Sequence, residues 1–253
     1  MIRLLADATE LFHAAAEEVC RIAQMSMDTT GRFSLVLSGG STPRGLYELL
    51  AEHPYKSQVE WKRVEFFWGD ERAVAPEHPA SNYRMAKEAM LDKLAVPPER
   101  IHRIEGERSD LDQAAHDYEA TIERVLGRIP GVGRRPPHFN LFLLGMGDDG
   151  HTASLFPETP ALTEQERWVM AQEAPKEPRG RITMTPPLIN AAHFIMFLVT
   201  GATKKNVLAS VLQGTRDPEG YPAQLIHPLT GEVTWFVDRA ASASLPQHHQ
   251  TEA

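Results

Sequence analysis

The chain has 253 residues, 42% of them hydrophobic, with 26 Lys and Arg against 34 Asp and Glu for a formal net charge of -8. That length can bury a substantial core and sits at the upper end of what one α/β domain holds. The negative balance, with no basic run longer than two residues, excludes a general affinity for nucleic acid or anionic lipid, so an anionic ligand has to be held by a local cluster.

Cys20 is the only cysteine, which excludes intrachain disulfides and thiolate metal sites and reads as a small buried residue. The opening MIRLLADATELF lacks the apolar core and cleavage site of a signal peptide, and no apolar stretch approaches the ~20 residues needed to cross a bilayer. We therefore expect a soluble, cytoplasmic protein with no membrane partner, acting as a monomer or weak homodimer.

In chain order, helical periodicity runs from Ala8 to Met25, and FSLVL (Phe33 to Leu37) reads as a strand. A helix from Arg44 to Ala51, the strand VEFFW (Val64 to Trp68), and helices from Asn82 to Leu94 and Leu111 to Leu126 follow. Then come the strand FNLFLL (Phe139 to Leu144), a weaker strand WVMAQ from Trp168, the strand FIMFLV (Phe194 to Val199), a helix from Lys204 to Leu212, and TWFVD (Thr234 to Asp238). Strands that are apolar on both faces and separated by helices indicate an α/β fold with a mostly parallel sheet covered on both sides. Proline and glycine mark loops at VPPER, RIPGVGRRPPH and APKEPRGR. The second of these is long enough to link domains, but each half would be an incomplete sheet, so residues 1–253 are expected to form a single domain. The tail SLPQHHQTEA reads as frayed, its two histidines solvated.

Ligands of such sheets bind beyond the carboxyl ends of the strands. After FSLVL comes SGGSTPRGLYELL, where Gly39 and Gly40 let backbone N–H groups approach an anion, Ser41 and Thr42 offer hydroxyls and a helix cap, and Pro43 suits the first turn. This is either a phosphate cradle at a helix N-terminus or a well-capped turn; it lacks a P-loop lysine. After VEFFW, Asp70, Glu71 and Arg72 crowd a strand end: Arg72 can grip a phosphate bidentately and either carboxylate can hold the arginine or a sugar hydroxyl, unless the group is a surface ion-pair cluster. Arg181 precedes a short extended stretch. Lys204 stands in the first turn of a helix, where the macrodipole disfavours a cation unless an anion binds there.

The stretch LLGMGDDGHTASLFP satisfies G-x-G-x-x-G after a strand, yet Asp148 and Asp149 would lie where a pyrophosphate should sit and Pro157 leaves little room for the long helix of a dinucleotide fingerprint. A histidine on a glycine turn at a strand end is instead placed to meet a ligand and to titrate near neutral pH, or else to bond the loop backbone.

Taken in order, LSGGSTPRGLY, FFWGDERAV with HPASNYRMA, LLGMGDDGHTASLFP, RITMTPPLIN and TGATKKNVL resemble the 6-phosphogluconolactonase family, with further likeness in HPLTGEVTWFVDRAA. Related glucosamine-6-phosphate deaminases, the alternative reading, continue after the histidine to Asn-Glu-Pro; this chain has Leu155-Phe156-Pro157. Two departures are Asn140, where aspartate is usual, and Glu158, where glycine is frequent; neither is expected to touch the chemistry. The resemblance implies a Rossmann-like α/β fold, hydrolysis of 6-phospho-D-glucono-1,5-lactone in the pentose phosphate pathway, and no redox cofactor or required metal. It makes His151 the catalytic base with Asp149 beside it, and points to Arg72, Arg181, Lys204 and the Gly39 to Thr42 loop for phosphate and sugar. The residues agree with this: a lactone is an activated ester, so water assisted by one general base suffices without a nucleophilic side chain, and Asp149 is close enough in sequence to fix the imidazole tautomer.

Overall fold

The runs FSLVL, VEFFW, LFLLG and FIMFLV have almost no polar face to offer water, and the computed structural model buries them side by side. Residues 1–127 and 135–246 are described; residues 128–134, the first seven of the RIPGVGRRPPH loop, and the tail with His248 and His249 lie outside the described residues. Strands are labelled in chain order. A six-stranded sheet has the order β1 (Ile2–Leu5), β9 (Glu232–Asp238), β8 (Phe194–Val199), β5 (Leu141–Gly145), β2 (Phe33–Leu37), β3 (Val64–Trp68). Every pairing in it is parallel, so the expected α/β fold with a mostly parallel sheet is borne out.

Helices cover this sheet: α1 (Ala8–Thr30), α2 (Ser41–Leu50), α3 (Asn82–Ala86), α4 (Leu111–Leu126), α5 (Pro186–Ile189) and α6 (Lys205–Gln213). The start of α1 is set by a reciprocal cap, in which Asp7 Oδ1 accepts the Glu10 N–H at 3.0 Å and Glu10 Oε2 accepts the Ala6 N–H at 2.9 Å. It ends at Gly31, whose φ of +72° is the left-handed geometry that glycine adopts freely. The helix runs five residues past its expected end because MDTT carries no apolar periodicity; Thr29 and Thr30 instead bond the carbonyls of Met25 and Ser26 at 2.7 and 2.9 Å.

A second, three-stranded antiparallel sheet, β4 (Asp70–Arg72), β7 (Gly180–Met184) and β6 (Val169–Glu173), was not expected as a sheet, although the weak WVMAQ strand and the short extended stretch after Arg181 fall in two of its strands. Gly69 joins the two sheets: its N–H bonds the Leu37 carbonyl at 2.9 Å and its own carbonyl accepts the Met184 N–H at 2.8 Å. One apolar cluster contains residues of both sheets, among them Phe66, Phe142, Ile182 and Met184, and each fully buried side chain of this size contributes ~1.5–3 kcal/mol. At the amino end of the parallel sheet, Asn140 clips β5 to β2. Its Oδ1 accepts the Ser34 N–H and hydroxyl, each at 2.9 Å, and its N–H donates to Ser34 Oγ at 2.9 Å. Among the described residues, no helix is long and apolar enough to cross a membrane.

Candidate active site

In the order β1-β9-β8-β5-β2-β3, the chain leaves β2 toward β3 on one side and β5 toward β8 on the other, so the switch point lies between β2 and β5. Beyond the carboxyl ends of these strands opens a cavity of about 600 Å³, lined by parts of the loops after β2, β5 and β8 and by Arg72, Asn82 and Lys176.

The first wall is the loop from Ser38 to Thr42. Gly40, with φ +106°, occupies the cap position of α2, and no side chain caps the helix, so Ser41 and Thr42 are first-turn residues and not the cap that the sequence suggested. The N–H groups of that turn precede the first intrahelical bond, from Arg44 N–H to the Gly40 carbonyl at 3.2 Å. Gly39 is needed for close approach: a Cβ there would overlap the Asn82 side-chain amide. Ser38 Oγ is buried without a hydrogen-bond partner among the described residues, while the Ser38 backbone is clamped by the Tyr47 hydroxyl at 2.9 and 3.0 Å. Thr42 is engaged differently from expectation, its hydroxyl lying 2.7 Å from that of Thr200 across the cavity.

The second wall is the glycine loop. No long helix follows β5, which removes the dinucleotide geometry. The loop folds on itself through the Gly147 N–H to the His151 carbonyl at 2.8 Å and the Thr152 hydroxyl to the Gly145 carbonyl at 2.8 Å. His151 Nδ1 is hydrogen-bonded to Asp149 Oδ1, which also accepts the His151 backbone N–H at 3.2 Å. Burial pushes Asp149 up, but its hydrogen bonds to His151 and the charges of His151 and Lys176 outweigh burial and hold the carboxyl well below the usual carboxylate range. An ionised carboxylate only accepts, so Nδ1 carries a proton, and in the neutral imidazole Nε2 then has the lone pair. The imidazole, whose side chain is 17% exposed, is closely packed. A Cβ on Gly147 would overlap Nδ1, and the buried Phe156 ring lies with its centroid 4.4 Å from that of the imidazole.

The acidic pair after β3 does not hold the arginine beside it. Glu71 is buried and accepts the N–H groups of Arg72, Asn82 and Tyr83 at 2.8–2.9 Å and the Ser81 hydroxyl at 3.0 Å. Asp70 takes the Ser154 hydroxyl at 2.6 Å and the Asn82 amide at 3.2 Å, so its oxygens tie the loop after His151 to the start of α3. Arg72 Nη1 donates to the Ala80 carbonyl at 2.8 Å and to Asn82 Oδ1, with Nη2 and Nε unbonded to any described residue.

Lys204 lines the cavity at the end of a tight turn (Ala202–Lys204) that leads into α6, and its Nζ lies 2.8 Å from Asp148 Oδ1. Asp148 thus supplies the negative charge that a lysine at this helix start requires, and Lys204 in turn lowers the Asp148 carboxyl. Arg181, expected at the phosphate, is absent from the cavity wall. It lies within β7, 3% exposed, and donates to the Pro178 and Gly180 carbonyls. Burial, and after it the like charge of Arg72, push its guanidinium below the ordinary value. Asn82, Thr200 and Lys176 line the cavity but were not singled out. Asn82 was read only as the first residue of a helix, and Lys176 sat unremarked in the APKEPRGR loop. Among the described residues, no group of three or more His, Cys, Asp or Glu is placed to hold a metal.

A Rossmann-like sheet with an open helix N-terminus, a cationic rim and an imidazole–carboxylate pair has the makings of an α/β enzyme site for an anionic substrate. The sequence model of the glucosamine-6-phosphate isomerases/6-phosphogluconolactonase matches residues 6–235, and the chain belongs to that family. It is 39% identical to a 6-phosphogluconolactonase of Nostoc sp. over 96% of this chain and 98% of the relative. With a 6-phosphogluconolactonase of Synechocystis sp. the identity is 42% over 85% of each. The solved structure of 6-phosphogluconolactonase from Trypanosoma cruzi superposes with a TM-score of 0.85 at 32% identity, covering 96% of both chains.

Proposed function

We propose that the protein hydrolyses 6-phospho-D-glucono-1,5-lactone to 6-phospho-D-gluconate, the second step of the oxidative pentose phosphate pathway, with His151 as general base. The observation that carries this reading is the His151–Asp149 pair, set in a cavity whose other wall is the open N-terminus of α2. The lactone carbon C1 would lie beside Nε2. Water forms a bond to C1 while Nε2 takes its proton, and the carbonyl π pair moves onto oxygen. When that pair returns, the bond from C1 to the ring oxygen breaks and the imidazolium gives its proton to the departing oxygen. The acid so formed ionises to 6-phosphogluconate. Asp149 holds the tautomer and stabilises the imidazolium.

The phosphate is assigned to the first-turn N–H groups of α2, the Ser38 hydroxyl and Lys204, with Arg72 facing the sugar between phosphate and C1. Asp70 acts by positioning Asn82 and Ser154, and Arg181 by bracing β7. All these groups come from one chain, so the proposal needs no second copy. A deaminase reading finds no support at Phe156, where ring opening of an amino sugar would want an acid and an apolar ring supports the imidazole instead. The test is acid release from freshly made lactone above its spontaneous rate, compared between wild type and His151→Asn. The variant should remain folded by circular dichroism and lose about 10² to 10⁴ in kcat; a folded variant that keeps its rate would remove His151 from the role.

A further inference from the structure

Three lysine or arginine side chains line the cavity: Arg72, Lys176 and Lys204. Two of them are engaged, Arg72 with Asn82 and the Ala80 carbonyl and Lys204 with Asp148. Lys176 has no hydrogen-bond or ion-pair partner among the described residues. Its hairpin, between β6 and β7, is nevertheless held firmly. The Ala174 N–H bonds the Arg179 carbonyl at 2.7 Å, and Arg181 donates to the carbonyls of Pro178 and Gly180. Both carboxylates near Lys176 in sequence are turned to Arg179, Glu173 through its guanidinium at 2.8 Å and Glu177 through its backbone N–H at 3.2 Å. The hairpin therefore presents one ammonium to the cavity while occupying the acids that would neutralise it.

The position of that ammonium is informative. Lys176 Nζ lies 5.4 Å from the centroid of the Phe156 ring, the same ring that supports the His151 imidazole at 4.4 Å. Lys176 is also among the charges that hold Asp149 low. The cavity is thus lined by cations in two places, one at Lys204 and the start of α2, the other at Lys176 over the Phe156 ring that also carries the imidazole. A 6-phosphorylated 1,5-lactone needs cations at two points separated by its ring: at the phosphate throughout, and at the C1 oxygen only while that oxygen carries the charge of the tetrahedral intermediate.

We propose that Lys176 is a catalytic residue whose ammonium stabilises the C1 oxyanion, leaving the phosphate to Lys204 and the N-terminus of α2. The assignment rests on the lactonase reading given above. Lys176 transfers no proton: it faces the oxygen that receives the carbonyl π pair as the water–C1 bond forms, and the attraction ends when that pair returns and the ring C–O bond breaks.

The experiment compares Lys176→Gln and Lys176→Arg with wild type on 6-phosphogluconolactone and on unphosphorylated glucono-1,5-lactone, with thermal melts to establish folding. Lys176→Gln should melt with wild type and lose roughly 10- to 100-fold in kcat, by a similar factor on both lactones, with little change in KM for the phosphorylated one. Lys176→Arg should recover part of the loss. A loss confined to the phosphorylated lactone, or expressed in KM, would make Lys176 a phosphate ligand and overturn the proposal, as would undiminished kcat in a folded Gln variant. Wild-type protein inert toward both lactones would overturn it by a separate route, through failure of the lactonase reading itself.

Discussion

The His151 imidazole lies over the Phe156 ring at a centroid distance of 4.4 Å and a tilt of 35°. Phe156 is fully buried, so the imidazole rests on a ring fixed by the packing around it. Replacing it by Leu keeps most of the volume and removes the flat support. Phe156→Leu should cost about 1–2 kcal/mol of stability and lower kcat several-fold with little change in KM. Chemical denaturation and steady-state kinetics on the same preparation separate the two effects; an unchanged kcat would show that the ring has no part in holding the base.

Gly147 packs against the same imidazole. A methyl group there overlaps Nδ1 and the Asp149 carboxylate, and neither can shift without losing their mutual hydrogen bond. Gly147→Ala should therefore abolish most of the activity while the protein stays folded by circular dichroism. Near-normal turnover would mean that the imidazole works from another position.

Asp149 supplies a pH signature. Its folded-state carboxyl lies below the unfolded value near ~3.9, so the stability it contributes is fully present above that value and lost as pH falls through the folded one. Melting temperatures of wild type and Asp149→Asn should differ by a small amount at pH 5 and draw together as pH falls below about 4. The side chain is 41% exposed, so solvent screening keeps the gap modest. A gap that widened on acidification would reverse the assigned sign.

At the other end of the cavity, Lys204→Ala should weaken transition-state binding of the phosphorylated lactone by roughly 2–3 kcal/mol, the scale of a charge-assisted hydrogen bond. Glucono-1,5-lactone, a poor substrate for wild type, should be far less affected. The comparison of kcat/KM on the two lactones decides it: equal losses would take Lys204 away from the phosphate.

The parallel sheet was legible in the sequence because strands buried on both faces must be continuously apolar, and the glycine loop because its residue types are costly anywhere else. The antiparallel sheet was not. Three-residue β4 offers no periodicity, and β7 showed only as a short extended stretch whose start, at Gly180 and Arg181, was not legible. Arg181 was misplaced for the same reason: once it lies inside β7, burial turns it to the carbonyls of Pro178 and Gly180. Asn82 escaped notice because its use is three-dimensional, linking Arg72, Asp70 and the backbone beside Gly39.

One departure from the family pattern has a simple physical cost. Glu158, where glycine is frequent, has a φ of +60°, a conformation that disfavours any residue with a Cβ. Glu158→Gly should raise stability by roughly 0.5–1 kcal/mol, after allowing for the greater freedom of glycine in the unfolded chain, with no effect on kcat. A lower melting temperature would mean that the glutamate side chain contributes more than its backbone costs.

The clip between Asn140 and Ser34 has a consequence for how the protein is made. β2 can pair with β3 early in synthesis, but its other edge stays open until residue 141 and those after it have emerged, because only β5 fills that side and only β5 carries the histidine loop. The half-made chain therefore carries an unpaired apolar strand, the kind of edge that recruits other chains. Asn140, immediately ahead of β5, offers Ser34 a polar latch whose partners meet only in the correct register. The clip that closes the exposed edge is then also the event that brings the loop after β5 to the turn after β2, so completion of the sheet and assembly of the cavity are one step.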